Sequence, residues 1–272
     1  MNEMIISSFY KFINIDSYQN WKWPLLEFCR AQELKGTILL ALEGINASIS
    51  GTKENVNQLY EYLQNNIGIN VHNSFLKENN VEGQPFLRMK VKLKQEIVRL
   101  RVGELNMEEN GEYIEPKDWD EFISRDDVIT IDTRNTYEVA LGTFEGAINP
   151  KTRTFTEFPE WVKNNIRKPK DTKIAMFCTG GIRCEKSTAY MKSIGFKEVY
   201  HLKGGILQYL QDIGNVSGKW QGDCFVFDDR VAVNSELNPI HDMFCRSCQK
   251  VLTTDDLKYA IKSIEYCAKC IS

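Results

Sequence analysis

Residues 178–183 form a short segment that combines a cysteine, two glycines and an arginine. The apolar run KIAMF precedes this segment and the helical pattern CEKSTAYMKSIG follows it, which predicts a strand, a loop and a helix in that order. Gly180 and Gly181 allow a tight turn, and backbone N–H groups at the start of the helix can stabilise an anion. Together with the positive charge of Arg183, this arrangement should lower the pKa of Cys178 and favour the thiolate, the nucleophilic form of cysteine.

The spacing between the cysteine and the arginine restricts the chemistry of this loop. Arg183 follows Cys178 with four residues between them, whereas a cysteine phosphatase uses five so that the arginine can hold the phosphoryl oxygens. The phosphate-binding pattern G-x4-G-K-[ST] does not occur in the sequence. The loop therefore fits a nucleophilic or sulfur-carrying cysteine, and the alternative is a buried structural cysteine at the end of a strand.

Three further cysteines have more than one interpretation. Cys184, in the first turn of the predicted helix, could resolve an oxidised Cys178 by forming a disulfide bond with it. The alternative is a small side chain that packs beneath the loop. Cys29 lies on the apolar face of a predicted helix and is expected in a core. Cys224 lies just before the tail and could be a spare metal ligand, but the two complete CxxC pairs described below make that unnecessary.

The carboxy-terminal tail contains two CxxC pairs separated by 18 residues. Each pair can occupy adjacent corners of a tetrahedral zinc site, whose ligands would be Cys245, Cys248, Cys267 and Cys270. Four protein ligands leave no open position for a substrate, so the pattern predicts a structural zinc ion that helps to fold a short tail. The alternative is two disulfide bonds or four free thiols.

A basic strand is predicted in the segment FLRMKVKLK, where apolar and basic residues alternate. The apolar residues are Leu87, Met89, Val91 and Leu93, and the basic residues are Arg88, Lys90, Lys92 and Lys94. The basic side could follow the phosphate backbone of a nucleic acid. The alternative is an edge strand that lysines protect from aggregation.

Composition and charge restrict the compartment and the partners. The chain has 272 residues, of which 42% are hydrophobic and 26% charged, as in soluble proteins with more than one core. The sequence lacks a secretion signal and any run of about 18 apolar residues, so neither secretion nor membrane spanning is expected. We expect a cytoplasmic protein whose eight cysteines stay reduced. A net charge of −3 gives no general attraction to DNA, so RNA binding would require a local basic patch.

The order of predicted elements indicates three domains and an α/β fold class. Residues 1–101 have the order βαββαβ of a ferredoxin-like α+β domain. Residues 102–112 are polar and acidic, as in a linker. Residues 113–216 alternate strands and helices, which predicts an α/β domain with a mostly parallel sheet. Residues 217–272 form the cysteine-rich, zinc-binding tail.

The central domain resembles the rhodanese family, in which a six-residue loop begins with the catalytic cysteine. The resemblance rests on this loop, on the stretch VITIDTRNTYEVALGTFEGAINP and on the segment EVYHLKGGI. It implies a rhodanese-like domain over residues 113–216. For Asp132 and Arg134, in the first of these stretches, we expect a structural role in fixing the loops around the site rather than direct catalysis.

Over nearly its whole length the chain resembles the bacterial oxygen-dependent tRNA uridine hydroxylases, which are rhodanese-like proteins. The segment LALEGINASISG, the loop CTGGIRCEK and the CxxC tail occur in that order. The resemblance implies oxidation of the wobble uridine in the tRNA anticodon arm to 5-hydroxyuridine, with molecular oxygen as co-substrate. It also implies that Cys178 is the essential cysteine and Arg183 a second catalytic residue, in a loop completed by Thr179, Gly180, Gly181 and Ile182.

Oxygen chemistry follows from this resemblance alone. The three histidines, His72, His201 and His241, lie far apart in the sequence, and no flavin or nicotinamide motif occurs. Cys178 could add to C6 of the uracil ring, or it could deliver the heteroatom as an oxidised or persulfide sulfur.

Two other functions remain open from the sequence. One is a rhodanese-type sulfurtransferase that uses a Cys178 persulfide, although a small sulfur acceptor would not require the two added domains. The other is a non-enzymatic binding module in which Cys178 is buried and inert. The aromatic residues Trp21, Trp23 and Trp220 are expected to pack in cores rather than to stack on bases.

Overall fold

The structure is a computed structural model that describes residues 3–81, 83–214, 218–226 and 232–237. The chain divides into two compact units, Met1–Arg101 and Val102–Ser272. In the part of the chain that the structure describes, no helix is both long enough and apolar enough to cross a membrane.

The first unit is a five-stranded sheet with two helices. Its elements are β1 (Met4–Phe12), α1 (Lys22–Ala31), β2 (Lys35–Ala41), β3 (Gly44–Thr52), α2 (Lys53–Ile67), β4 (Phe75–Asn80) and β5 (Met89–Leu93). The strand order is β4-β1-β3-β2-β5. The pair β2 and β5 is parallel, and the other neighbouring strands are antiparallel.

The helix α2 shows how the sequence determines the elements of this unit. The side chain of Thr52 accepts a hydrogen bond from the backbone N–H of Asn55, and the helix ends at Gly68 with φ 78°. The apolar residues at helical spacing face the core and are Val56, Leu59, Tyr60 and Leu63. The start of this helix and its buried face therefore follow from the local sequence.

The basic segment differs from the prediction in two respects. The strand β4 completes the βαββαβ order, so β5 is an additional fifth strand at the edge of the sheet. Met89 and Val91 are buried as expected, but Leu87 precedes β5 and is 89% exposed. The alternation therefore begins at Met89, because only there does the chain pair with β2.

The second unit contains a parallel sheet with helices. Its elements are β6 (Glu112–Ile114), α3 (Pro116–Ile123), β7 (Val128–Asp132), α4 (Thr136–Val139), β8 (Gly142–Phe144), α5 (Phe158–Asn165), β9 (Lys173–Phe177), α6 (Ile182–Ser193), β10 (Val199–Leu202), α7 (Gly205–Ile213), β11 (Trp220–Gly222), β12 (Cys224–Phe225) and β13 (Ala232–Val233). The main sheet has the order β6-β10-β9-β7 with all neighbours parallel, as predicted. Two antiparallel pairs, β8 with β11 and β12 with β13, accompany it.

The end of the predicted linker is an integral part of the second unit. The side chain of Asn110 donates a hydrogen bond of 2.5 Å to Glu185, and the backbone N–H of Gly111 donates one of 2.9 Å to Thr188. Both acceptors belong to α6. The last residues of this polar segment therefore fold with the helix that follows the cysteine loop.

Aromatic residues form the core beneath the strand that leads to the cysteine loop. The ring of Phe144 makes edge contacts with Phe177 at 4.8 Å, Tyr209 at 4.8 Å and Trp220 at 5.2 Å between centroids. Phe177 is the last residue of β9, immediately before Cys178. This core therefore fixes the position at which the loop begins.

The tryptophans Trp21, Trp23 and Trp220 have different environments. Trp220 packs in this aromatic cluster, and Trp21 packs against the core of the first unit. Trp23 is 62% exposed, with Nζ of Lys22 at 4.9 Å from the centre of its ring, so the expectation of packing is wrong for this residue. Its position at the start of α1, where the helix emerges from a short 3-10 turn, directs the ring outward.

Candidate active site

The cysteine loop connects β9 to α6. Gly181 caps the helix with φ 90°, a conformation that glycine adopts without steric cost. Its backbone N–H donates a hydrogen bond to Sγ of Cys178 at a distance of 3.1 Å. The predicted order of strand, loop and helix therefore brings the sulfur to the amino terminus of a helix, although Cys178 is 0% exposed.

The environment of Cys178 favours the thiolate despite this burial. Burial raises the pKa of the thiol, but a hydrogen bond with Cys184, the charge of Arg183 and the backbone N–H groups of both residues act in the opposite direction. The net effect lowers the pKa of Cys178 below its ordinary value. For Cys184, burial and then the hydrogen bond to Cys178 raise the pKa. Cys178 therefore ionises first, and the neutral Cys184 thiol donates to it.

Arg183 is bound by a carboxylate from another element. Its Nη1 and Nη2 atoms lie 2.6 and 2.7 Å from the two carboxylate oxygens of Glu138. Nη2 also lies 3.3 Å from the hydroxyl oxygen of Thr179, and that hydroxyl donates to Glu138 at 3.2 Å. The positive charge that the loop supplies is therefore paired within the protein, and two of the loop residues are fixed by one side chain.

Glu138 is the residue of this site that the sequence analysis missed. It lies on the one-turn helix α4, where its carboxylate accepts the backbone N–H of Asn135 at 3.1 Å. An Asn followed three residues later by Glu is a signal for a helix start, and this signal is present in NTYE. The pattern identifies a cap, but it does not reveal that the same carboxylate reaches Arg183.

Asp132 and Arg134 form a second buried ion pair. The Nε and Nη2 atoms of Arg134 lie 3.0 and 2.7 Å from the carboxylate oxygens of Asp132. Arg134 also donates to the backbone oxygen of Gly142, and Thr143 donates to Asp132 at 2.8 Å. These contacts join the end of β7 to β8, which agrees with the structural role expected for the pair.

The glycine pair before α7 packs directly on the cysteine loop. Gly204 and Gly205 have φ of 72° and 67°. The backbone N–H of Ile206 donates to the carbonyl of Cys178 at 3.0 Å, and that of Leu207 donates to the carbonyl of Thr179 at 3.1 Å. The amino terminus of α7 therefore supports the loop through two backbone hydrogen bonds.

One side of the loop is open. A Cβ atom on Gly180 would meet no atom within 4 Å, and Gly180 and Ile182 are both partly exposed. Since the sulfur itself is buried, a substrate reaches Cys178 only if the loop or the side chains beside it move.

The other predicted site residues lie elsewhere. The basic residues Arg88, Lys90, Lys92 and Lys94 belong to the first unit, on or beside β5. The four cysteines of the predicted zinc site, Cys245, Cys248, Cys267 and Cys270, lie outside the described residues. Within the described ranges, no group of three or more His, Cys, Asp or Glu side chains is arranged to hold a metal ion.

Two further residues, His201 and Cys29, lie in buried surroundings. His201 is buried, its Nε2 atom lies 3.1 Å from the carbonyl oxygen of Gly111, and burial lowers its pKa to about 4. Cys29 lies in the core of the first unit, as expected, and burial raises its pKa to about 12.

Two family models match the chain, and the ranges they match correspond to the two compact units. The family model described as a UPF0176 acylphosphatase like domain matches residues 4–97, and the one described as a Rhodanese-like domain matches residues 115–212. Among solved structures, the Alr3790 protein from Anabaena sp. is 18% identical with a TM-score of 0.34, over 40% of this chain and 91% of that chain.

Curated relatives align over most of the chain. A protein from Wolbachia pipientis wMel is 48% identical over 266 residues, which are 98% of this chain and 96% of the relative. One from Anaplasma marginale (strain Florida) is 46% identical over 98% of this chain and 96% of its own. One from Rickettsia rickettsii (strain Sheila Smith) is 55% identical over 88% of this chain and 97% of its own. All three are named tRNA uridine(34) hydroxylase, and at this identity and coverage the chain belongs to the tRNA uridine(34) hydroxylase family.

Proposed function

We propose that this protein is an enzyme that hydroxylates uridine 34, the wobble base of tRNA, to 5-hydroxyuridine, with the Cys178 thiolate as its reactive group. The substrate and the reaction follow from relatives that carry this activity in their names and align over nearly the whole chain. The role of Cys178 follows from the geometry of its loop.

The observation that carries the role of Cys178 is the hydrogen bond of 3.1 Å from the Gly181 N–H to its sulfur. A donor at the start of a helix stabilises the thiolate. A non-enzymatic module would leave Cys178 buried and inert, and the burial taken alone fits that alternative. The lowered pKa of Cys178 opposes it, because an apolar burial site raises the pKa of a cysteine.

The chemistry requires an oxidant. Replacement of the C5–H bond of uracil by C5–OH is a two-electron oxidation. We propose molecular oxygen as the co-substrate, in which case a further electron donor reduces the second oxygen atom to water. Cys178 acts either by adding to C6, which makes C5 electron-rich, or as an oxidised sulfur that delivers the oxygen atom, whereas a persulfide would deliver sulfur and belongs to the sulfurtransferase alternative. Both routes begin with the thiolate.

The first unit supplies the groups that we propose for RNA binding. Lys92 is exposed and Lys90 partly exposed on β5, opposite to the buried Met89 and Val91. Trp23 offers an exposed aromatic surface of the kind on which unpaired bases stack. The edge position of β5 also fits the alternative in which its lysines prevent aggregation, so an RNA-binding measurement must decide.

Three further features belong to this proposal. The spacing of Cys245, Cys248, Cys267 and Cys270 supports a structural zinc ion in the tail. Cys184, the donor to the Cys178 sulfur, is placed to resolve an oxidised Cys178. We propose a cytoplasmic location, as for an enzyme whose substrate is tRNA.

The paired charges weigh against the sulfurtransferase alternative. Transfer from an anionic sulfur donor requires cationic groups that hold the donor beside the thiolate. The guanidinium groups of Arg183 and Arg134 are instead bound to the carboxylates of Glu138 and Asp132.

Nucleoside mass spectrometry of tRNA tests the proposal. Cells that lack this gene, with and without a plasmid copy, are grown with and without oxygen. We expect 5-hydroxyuridine at position 34 only where both the gene and oxygen are present. Hydroxylation that is independent of the gene, together with loss of a thiolated product, would instead establish the sulfurtransferase.

A further inference from the structure

Glu138 is a fully buried carboxylate that the proposed reaction does not use directly. We propose that Glu138 is a positioning residue: by binding both terminal nitrogens of Arg183, it keeps this guanidinium from forming a direct ion pair with the Cys178 thiolate. The effect on hydroxylation rests on the proposed function, whereas the effect on the thiolate does not.

The contacts of Glu138 leave Arg183 little freedom. The two carboxylate oxygens bind Nη1 and Nη2 at 2.6 and 2.7 Å, the distances of strong charge-assisted hydrogen bonds. Glu138 is itself anchored by the N–H of Asn135 at 3.1 Å and receives the hydroxyl of Thr179 at 3.2 Å. Both carboxylate oxygens of Glu138 are therefore fixed by hydrogen bonds, and they determine where the guanidinium of Arg183 lies.

The other charged and titratable groups around this pair are accounted for. Arg134 interacts with Glu138, but its guanidinium is bound to Asp132. Tyr137 lies beside Glu138, and its raised pKa, due first to burial and then to the Glu138 charge, keeps it neutral. Asp132 also interacts with Arg183, so removal of the Glu138 charge leaves the positive charge of Arg183 less compensated than in the wild type.

This arrangement matters because a thiolate becomes less nucleophilic as its surroundings stabilise it more strongly. A thiolate that pairs with a buried guanidinium has a lower pKa and is intrinsically less nucleophilic. In the present structure the sulfur accepts the N–H of Gly181 and the thiol hydrogen of Cys184, and the backbone N–H groups of Arg183 and Cys184 also stabilise the thiolate. Glu138 thus preserves a thiolate that is formed readily and still reacts.

Thiolate absorbance measured against pH tests the proposal on the full-length protein. The variant Glu138→Gln keeps the size of the side chain and removes its charge. Each titration is corrected with the same protein that also carries Cys178→Ser. We expect the pKa of Cys178 to fall by about one unit, as for the loss of a nearby like charge. The intrinsic reactivity of the thiolate toward a small alkylating agent should fall about threefold. A pKa that is unchanged or higher would overturn the proposal.

Two further variants keep the result interpretable. Glu138→Asp retains the charge but withdraws it from Arg183, so we expect a smaller fall in the pKa of Cys178. If the loss of native circular dichroism shows that Glu138→Gln does not fold, the pKa of Cys178 in Glu138→Asp decides instead. A fall supports the proposal, and an unchanged or higher pKa overturns it. Glu160→Gln removes an exposed carboxylate on α5 and should leave the pKa unchanged.

Formation of 5-hydroxyuridine in cells is measured in parallel and should decrease for Glu138→Gln. If the wild-type protein forms none, the proposed function fails, while the titration still decides the role of Glu138. If the wild type is active and Glu138→Gln retains full activity, the positioning role is wrong.

Discussion

A Cβ atom on Gly205 would lie 2.5 Å from the carbonyl oxygen of Cys178. It would also lie 2.7 Å from the backbone nitrogen of Gly181, the atom that donates to the Cys178 sulfur. Gly205 further has φ 67°, which other residues rarely adopt. The sequence Lys-Gly-Gly at the start of α7 is therefore part of the cysteine site, because it allows two backbone segments to touch.

We predict that Gly205→Ala destabilises the protein by about 1–3 kcal/mol through strain and steric overlap. Because the overlap displaces the backbone nitrogen of Gly181, the pKa of Cys178 should also rise. Urea unfolding and thiolate absorbance measure the two effects. Gly180→Ala is the matched control, since its Cβ would meet no atom within 4 Å. Equal effects of the two substitutions would refute the close contact at Gly205.

The lowered pKa of Cys178 predicts a pH-dependent contribution to stability. The folded protein binds fewer protons at this site than the unfolded chain, so the free energy of unfolding should rise with pH between the two pKa values. The contribution is present above the unfolded pKa, about 8.5, and is lost as pH falls through the folded pKa. The difference in the free energy of unfolding between the wild type and Cys178→Ser should change by up to about 1.4 kcal/mol per pH unit within this window. A constant difference would show that the thiolate is not stabilised.

We predict that replacing Lys90 and Lys92 together with Gln weakens binding of tRNA. Loss of two phosphate contacts should reduce the slope of log affinity against log salt concentration by up to about 2. The measurement is a filter-binding titration at several salt concentrations. A double replacement of the exposed Lys163 and Lys168 in the second unit serves as the control. An unchanged slope would assign the lysines of β5 to protection of the sheet edge.

We predict that replacing Cys245 and Cys248 with Ser removes zinc from the purified protein and destabilises the tail. Two of four thiolate ligands do not suffice for a structural zinc site. Elemental analysis measures the metal, and thiolate titration of Cys178 should stay the same because the hydrogen bonds described for the loop join residues 178–207. Zinc that remains stoichiometric would exclude the proposed ligand set.

The cysteine loop could be predicted from sequence because its geometry is local. A strand, two glycines and a helix start within a few residues bring backbone N–H groups to the sulfur, and no distant contact is needed for this. The apolar patterns that predict α2 and the parallel strands also depend only on residues that are close together in the sequence.

Contacts between distant segments could not be predicted in this way. Glu138 precedes Arg183 by 45 positions, and its spacing indicates only a helix cap. The predicted order βαββαβ omits one of the five strands, because the segment of β4 was not recognised as a strand and the basic strand was counted in its place. The exposure of Trp23 likewise depends on the turn that precedes α1, and composition alone favoured burial.

The central claim is that uridine 34 is hydroxylated through the Cys178 thiolate. The most direct test is the amount of 5-hydroxyuridine in tRNA from cells that lack this gene and carry the wild type, Cys178→Ser or Cys29→Ser. Cys29 is an equally buried cysteine in the core of the first unit, so its variant controls for loss of stability. The account predicts hydroxylation with the wild type and Cys29→Ser and none with Cys178→Ser. Hydroxylation that persists with Cys178→Ser would contradict it.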